Sequence, residues 1–478
     1  MTKSPSALKI RKDFVAKEKN RMFKRRRRYS SYGGSRRRKK KISPWTIVVA
    51  IPLALIGLEI LARLGSRYFE KGEDQLSREA IAYSLKFVDE DRSEYQGLDN
   101  RGKLLATESI STGYELIGEQ QTEFFTLNDQ GFRDDEPLPL EKPQGEIRVF
   151  VLGNSAAFGR GVTDNEQTLS HRLEQLLQER VQRQQQNPGI YRPDVFPFFA
   201  PSREPLLEKP AKIKQGNYRV INVAVPGYSS GNELAQFALE ILPYQPDVVI
   251  VLNGYEDLLL EAEAEATDIP KLNEFAKDPD RYFQQYIRDS FGSKIKKSAL
   301  IRTIINLTSK KSNAQVGEVL SIRERNEQSL AAQLPSSEEA FNGRVARYRN
   351  NLKQLVSLCS SASIPLLVAI QPEITGRPEG QLDPTEQAVL NQLPEGYVEG
   401  VTTYYPRMVA AAQELEKAFP NNLKVLNFYQ LNNKFPSPTF IDPIHFNGEA
   451  HGEMAQQIYT AIASIEKMQI IPENFYLD

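Results

Sequence analysis

The sequence predicts a three-layer α/β/α sandwich around a five-stranded parallel sheet, preceded by one transmembrane helix. Three observations predict it: five short, β-branched, almost wholly apolar runs, amphipathic stripes at helical spacing between them, and one long uncharged stretch near the N-terminus. Strands covered on both faces read as continuous apolar runs rather than alternating ones. Repetition of strand and helix then points to a doubly wound parallel sheet.

Residues 1–41 form a basic tail with 18 Lys and Arg against 2 Asp and Glu. The formal neutrality of the chain, 61 basic against 61 acidic residues, therefore hides a tail of +16 on a remainder of −16. From Ile42 to Leu58 there is no charge at all. Residues 42–66 are expected to form the transmembrane helix, because about 20 residues rise roughly 30 Å, the thickness of the bilayer hydrocarbon. Glu59 and Arg63 fall in its last turns, acid first and four apart, the order that favours pairing. A cleaved signal peptide fits poorly, since a long tail precedes the span and "ARLGSRYFEK" contains no small-residue cleavage site. The positive-inside rule puts the tail in the cytoplasm, beside anionic lipid heads, and the main domain on the other side. The same basic run suits nucleic acid, but next to a membrane span topology explains it more simply.

Residues 67–145 read as a linker followed by a small strand-and-turn subdomain, in which "TEFFTL" precedes "NDQGFRDDEP". The main domain is expected over 146–478. Its strands are "IRVFVLG" (147–153), "YRVINVAV" (218–225), "DVVIVLN" (247–253), "IPLLVAIQ" (364–371) and "KVLNFY" (424–429). Leu169, Leu173, Leu176 and Leu177 form one helical stripe, with His171 on the same helix. Phe341, Val345, Tyr348, Leu352, Leu355, Val356 and Cys359 form another. Two insertions interrupt the pattern. The Pro-rich one at about 187–216 is expected to be a loop without regular structure, and the charged, helix-prone one at about 258–338 a lid or a partner surface.

A single cysteine, Cys359, excludes an intramolecular disulfide and a cysteine-rich metal site, and the three histidines, His171, His445 and His451, make a multi-histidine metal centre unexpected. No cofactor is implied: "GNSAAFGRG" has neither the Lys-Ser/Thr ending of a P-loop nor the spacing of a dinucleotide fingerprint.

Open parallel sheets place their sites at the carboxyl ends of strands. Ser155 stands there, two residues past the first strand and ahead of the helix that Thr168 starts. Alone it carries little weight, because serine is a common turn residue. At the other end of the chain, in "FIDPIHFNGEAHGEMAQQIY", Asp442 and His445 lie three apart on a turn entering the final helix. That spacing lets a carboxylate hold the imidazole Nδ1–H while Nε2 stays free to take a proton from a serine. His451, six further on, is expected to have a structural role.

At these residues the chain resembles the SGNH (GDSL-type) hydrolase family, over nearly all of residues 125–465. "VLGNSAAFGRGVTDNEQTLSHRLEQLL", "VINVAVPGYSSGNELAQ", "PDVVIVLNGYEDL" and "DPIHFNGEAHGEMA" are similar to its first, second, third and last blocks. "TLNDQGFRDDEP" is similar to the segment that often precedes the first block in membrane-anchored bacterial members. The resemblance implies a flavodoxin-like fold and an extracytoplasmic esterase or O-acyl transferase at the bacterial inner membrane. Its substrate would be an ester, such as acetyl on a cell-envelope carbohydrate. Ser155 would be the nucleophile, His445 the base and then acid, and Asp442 its orienting partner. The backbone N–H groups of Ser155 and Gly227 would donate into an oxyanion hole.

Two positions depart from the family pattern. Asn154 replaces the first-block Asp. Glu256, in "NGYED", replaces the third-block Asn whose amide is the remaining oxyanion donor. An ionised carboxylate cannot donate, and loss of one such donor costs roughly 10²- to 10³-fold in rate. Three alternatives stay open: a protonated Glu256 in a dry site, an amide supplied instead by Asn253, or a domain that binds a glycan or scaffolds an envelope complex without turnover.

Overall fold

The structure is a computed structural model that describes residues 78–89, 92–94, 102–109, 111–261, 330–378, 380–430 and 434–475. The expected basic tail and transmembrane helix, and most of the 258–338 insertion, lie outside the described residues. Among the described residues no helix is long and apolar enough to cross a membrane.

Five parallel strands form the central sheet: β1 (Glu146–Gly153), β2 (Asn217–Asn222), β3 (Val248–Asn253), β4 (Leu366–Ile370) and β5 (Leu423–Asn427). Their spatial order is β5-β4-β3-β1-β2, so the winding reverses beside β1. Each matches an apolar run expected from the sequence to within three residues at either end. Within β1 the side chains alternate between two cores: Val149 and Val151 pack on one face, Phe150 and Leu152 on the other. Helices α1 (Ser155–Phe158), α2 (Leu169–Gln186), α3 (Ser230–Gln236), α4 (Tyr255–Leu259), α5 (Glu338–Ser361), α6 (Tyr397–Ala418) and α7 (Gly448–Ser464) complete the layers.

On α2 the buried stripe is Leu169, Leu173, Leu177 and Val181, and it meets Met454 and Ile458 of α7 against one face. On α5, Phe341, Tyr348, Leu352, Leu355, Val356 and Cys359 are buried against the other face. Each such side chain contributes about 1.5–3 kcal/mol of burial, enough to lock both helices on the sheet. Cys359 is a core residue of that stripe, and burial pushes its thiol above the ordinary range.

The Pro-rich insertion departs from expectation. Ala200–Leu207 is a helix with a proline in its first turn, followed by Pro205. Proline is tolerated in a first turn because the N–H it lacks would have no helical partner there. Upstream of the main sheet, strands Leu85–Phe87, Leu104–Ser109 and Gly113–Leu116 form a small sheet, and Gln120–Gln121 pairs with Thr126–Leu127.

Candidate active site

β1 ends at Gly153, whose φ of +148° and crowding leave no room for a side chain: a Cβ would sit 2.5 Å from the Leu252 carbonyl oxygen and 2.6 Å from Ala157 Cβ. The chain turns sharply there and Asn154 caps α1, its Oδ1 accepting the Ala156 N–H at 2.9 Å. Ser155 is thereby the first residue of α1, at the carboxyl end of β1 and at the point where the strand order reverses. Sheets of this winding place ligand crevices at that point.

His445 arrives from the far end of the chain in a tight hairpin. Phe440 and Phe446 pair across it, and the Ile441 N–H donates to the His445 carbonyl at 3.0 Å. Asp442 closes the tip, with Oδ1 accepting the N–H groups of Ile444 at 3.0 Å and His445 at 2.8 Å. Its Oδ2 lies 2.6 Å from His445 Nδ1, and His445 Nε2 lies 2.7 Å from Ser155 Oγ. A carboxylate only accepts, so Nδ1 carries the proton and Nε2 presents a lone pair to the serine hydroxyl. Burial alone would raise the Asp442 pKa, but His445, the Ile444 N–H and Arg160 together hold it well below the usual carboxylate range. Asp442 stays ionised, as holding the imidazole requires.

The hairpin is itself held from outside. Glu386 is fully buried, and its Oε1 accepts the N–H groups of Thr439 at 2.7 Å and Phe440 at 3.0 Å. Arg377 pairs with Glu386 at 3.5 Å and donates to Thr439 Oγ1 at 2.6 Å and to the Pro436 carbonyl at 2.9 Å. On the serine side, Arg133 donates to the carbonyls of Phe158 and Gly159, each at 2.8 Å, at the carboxyl end of α1. Tyr83 Oη donates to the Val162 carbonyl at 2.6 Å.

Gly227 takes φ +89°, and a Cβ on it would meet Tyr114 Oη at 2.6 Å. Among the described residues no backbone acceptor takes the N–H of Ser155 or of Gly227. Glu256, 4% exposed, stands on α4 and accepts from Asn154 Nδ2 at 3.4 Å. Asn253 is drawn into a different cluster: its Nδ2 donates to Glu233, and Tyr348 Oη donates to its Oδ1 at 3.0 Å. That buried cluster, rather than the Ser155–His445 pair, takes the Asn253 carboxamide, because a strand-end amide facing a buried carboxylate is satisfied there first.

His451 is fully buried against the Phe446 ring, 4.8 Å away, with no hydrogen-bond partner for either nitrogen among the described residues. Burial, with Arg133 and His445 nearby, lowers its pKa to about 3, so it stays neutral. His171 lies on α2, where its Nε2 is 3.0 Å from Gln175 Nε2. Among the described residues no group of three His, Cys, Asp or Glu side chains is placed to hold a metal.

Gln371, Arg377, Glu386 and Arg133 contribute contacts that sequence reasoning did not identify. Gln371 was signalled only as the first polar residue at the end of an apolar run. Arg133 lies inside the "NDQGFRDDEP" motif, with nothing local to show what it would touch.

No family model matches the sequence, and no curated protein matches it. Solved structures that it is similar to are GDSL-type lipases, acylhydrolases and esterases. One is the lipase/acylhydrolase from Enterococcus faecalis, at 15% identity over 66% of this chain and 95% of that one, with a TM-score of 0.30. Another is a catalytic mutant of Axe2, an acetylxylan esterase from Geobacillus stearothermophilus, at 10% identity over 68% and 96%, with a TM-score of 0.32. A third is a GDSL-like lipase from Bacteroides thetaiotaomicron, at 13% identity over 66% and 86%, with a TM-score of 0.26. At such identities and scores, the functional reading rests on this chain's own residues.

Proposed function

We propose that the chain is a serine ester hydrolase or O-acyl transferase of SGNH type, held by its N-terminal segment on the outer side of a bacterial cell membrane. One observation carries the reading: Ser155 Oγ, His445 Nε2 and Asp442 Oδ2 form a continuous chain with links of 2.7 Å and 2.6 Å. These groups come from opposite ends of the domain, and a purely structural protein has no physical need to align them.

The mechanism follows from that chain. His445 Nε2 takes the hydroxyl proton as Ser155 Oγ attacks the ester carbonyl, forming the new C–O bond and a tetrahedral oxyanion. The Ser155 and Gly227 N–H groups are the donors available to that oxyanion. Collapse breaks the bond to the alcohol, which leaves with the proton from His445, and Ser155 holds the acyl group. Water or a sugar hydroxyl then attacks the acyl carbon, giving up its proton to His445; the bond from that carbon to Ser155 Oγ breaks, the acid or acylated sugar leaves, and His445 returns the proton to Ser155 Oγ. An acetylated cell-envelope carbohydrate is the proposed substrate class, with hydrolysis and transfer differing only in that acceptor.

Glu256 favours a second reading, a domain that keeps the fold and binds a glycan or an envelope partner without turnover. A serine-reactive fluorophosphonate on the full-length chain separates the two. Labelling that disappears in Ser155→Ala supports the enzyme, and no labelling of the wild type supports the binding domain.

A further inference from the structure

Asn154 and Gln371 link the two halves of the site from behind. The Asn154 Oδ1 is fixed by the Ala156 N–H, so its Nδ2 must point away, and it donates to Gln371 Oε1 at 2.7 Å. The Gln371 Oε1 therefore faces Asn154, which turns its Nε2 toward the Ile444 carbonyl, 3.4 Å away. Each amide could in principle be flipped, but backbone groups at both ends of the relay leave one consistent assignment. Asn154 precedes the serine and Ile444 precedes the histidine. The backbone of Gln371 is also pinned: its N–H donates to the Asn253 carbonyl at 2.9 Å, and Tyr405 Oη donates to its own carbonyl at 3.0 Å. Gln371 is fully buried, directly after β4.

We propose that Gln371 is a positioning residue, one that sets the distance between Ser155 and His445 by bridging their neighbours Asn154 and Ile444 through its carboxamide. This rests on the catalytic reading of that pair. The relay offers one acceptor to the serine turn and one donor to the histidine hairpin, both out of water, in addition to the direct contact between Ser155 Oγ and His445 Nε2. The titratable groups around it include Glu256 on α4, which also accepts from Asn154, Tyr405 on α6, Tyr348 on α5, which donates to Asn253, Asp442 and His445 on either side of Ile444, and Glu373 two residues along the chain.

Two variants of the full-length chain test it, by p-nitrophenyl acetate hydrolysis and fluorophosphonate labelling across pH, each normalised to wild type at the same pH. Circular dichroism and thermal unfolding monitor the fold. Gln371→Met keeps the volume and loses both hydrogen bonds. It should lower kcat roughly 10- to 100-fold, the cost of a misplacement near 1 Å, with KM changed less than threefold. Gln371→Glu reproduces the donor and acceptor only while its carboxyl is protonated. Its activity relative to wild type should therefore be highest at the acid end and fall at least fivefold as pH rises. A folded Gln371→Met within twofold of wild type, or a flat ratio for Gln371→Glu, overturns the proposal. Unfolding of both variants assigns Gln371 to the fold and also overturns it. An unlabelled, inactive wild type instead overturns the catalytic reading beneath it.

Discussion

Replacing Asp442 by Asn tests the tautomer that the hairpin imposes. The Asp442 Oδ1 accepts two backbone N–H groups, from Ile444 at 3.0 Å and His445 at 2.8 Å. In Asp442→Asn the amide oxygen must keep that place, because an NH₂ group there would face two donors. Its Nδ2 then occupies the position 2.6 Å from His445 Nδ1 and donates to it. The imidazole has to shift its proton to Nε2, which faces Ser155 Oγ at 2.7 Å and can no longer accept. Substitutions that fix the wrong tautomer cost about 10⁴-fold in kcat, roughly 5 kcal/mol on the barrier. The assay is p-nitrophenyl acetate turnover with kcat and KM separated. KM should stay within threefold, and thermal unfolding should stay near wild type because the hairpin contacts survive. Asp442→Ala is the contrast: it orphans the two N–H groups and should also lower stability by about 1 kcal/mol or more. If Asp442→Asn keeps more than a tenth of wild-type kcat, the tautomer reasoning is wrong.

Glu256→Gln leaves an oxygen for Asn154 and adds an NH₂ beside the site, so ester hydrolysis should be retained or raised; a tenfold or greater fall would show that the carboxyl has a role of its own. Gly227→Ala forces a left-handed backbone on a residue with a Cβ, at about 1–2 kcal/mol, and drives that Cβ to 2.6 Å from Tyr114 Oη. Unfolding by denaturant should show the loss, and Gly227→Ala combined with Tyr114→Phe should recover part of it; no recovery would rule out the hydroxyl as the obstacle. Burial raises the Glu373 pKa to about 7 against the hydrogen bonds from Thr375 and Tyr397. A carboxyl raised on folding keeps its proton longer in the folded state, so its contribution is full below the unfolded value of 4.5 and is lost as pH rises to about 7. Chemical unfolding at pH 5 and pH 8 should therefore show a decline in the wild type that exceeds the decline in Glu373→Gln by about 3 kcal/mol, the rest belonging to Glu240 and Glu233, which burial also raises; equal declines in the two would place the titrating group elsewhere.

The strands were legible because burial on both faces leaves an unbroken apolar run, and β1 to β5 each fall on one. The α2 and α5 stripes were legible because their apolar side chains recur at helical spacing. Less of the Pro-rich insertion could be read. Proline composition argues against a helix, yet where the prolines fall relative to its first turn decides whether one forms, as at Ala200–Leu207. For the candidate site, the Asp442–His445 spacing was visible because both groups lie on one turn, where local geometry dictates who meets whom.

Local order in the chain determined a serine after the first strand, an acid and an imidazole on one turn entering the final helix, and a sheet whose strand ends form one edge. Tertiary structure alone decided that Asn253 serves Glu233 and Tyr348, that Arg133 closes the carboxyl end of α1, and that Glu386 with Arg377 holds the hairpin. The reason is that hydrogen-bonding groups have no periodicity. A buried amide or guanidinium takes whichever partners the packed layers bring within about 3 Å, and most of those partners lie 20 to 95 residues away in the chain.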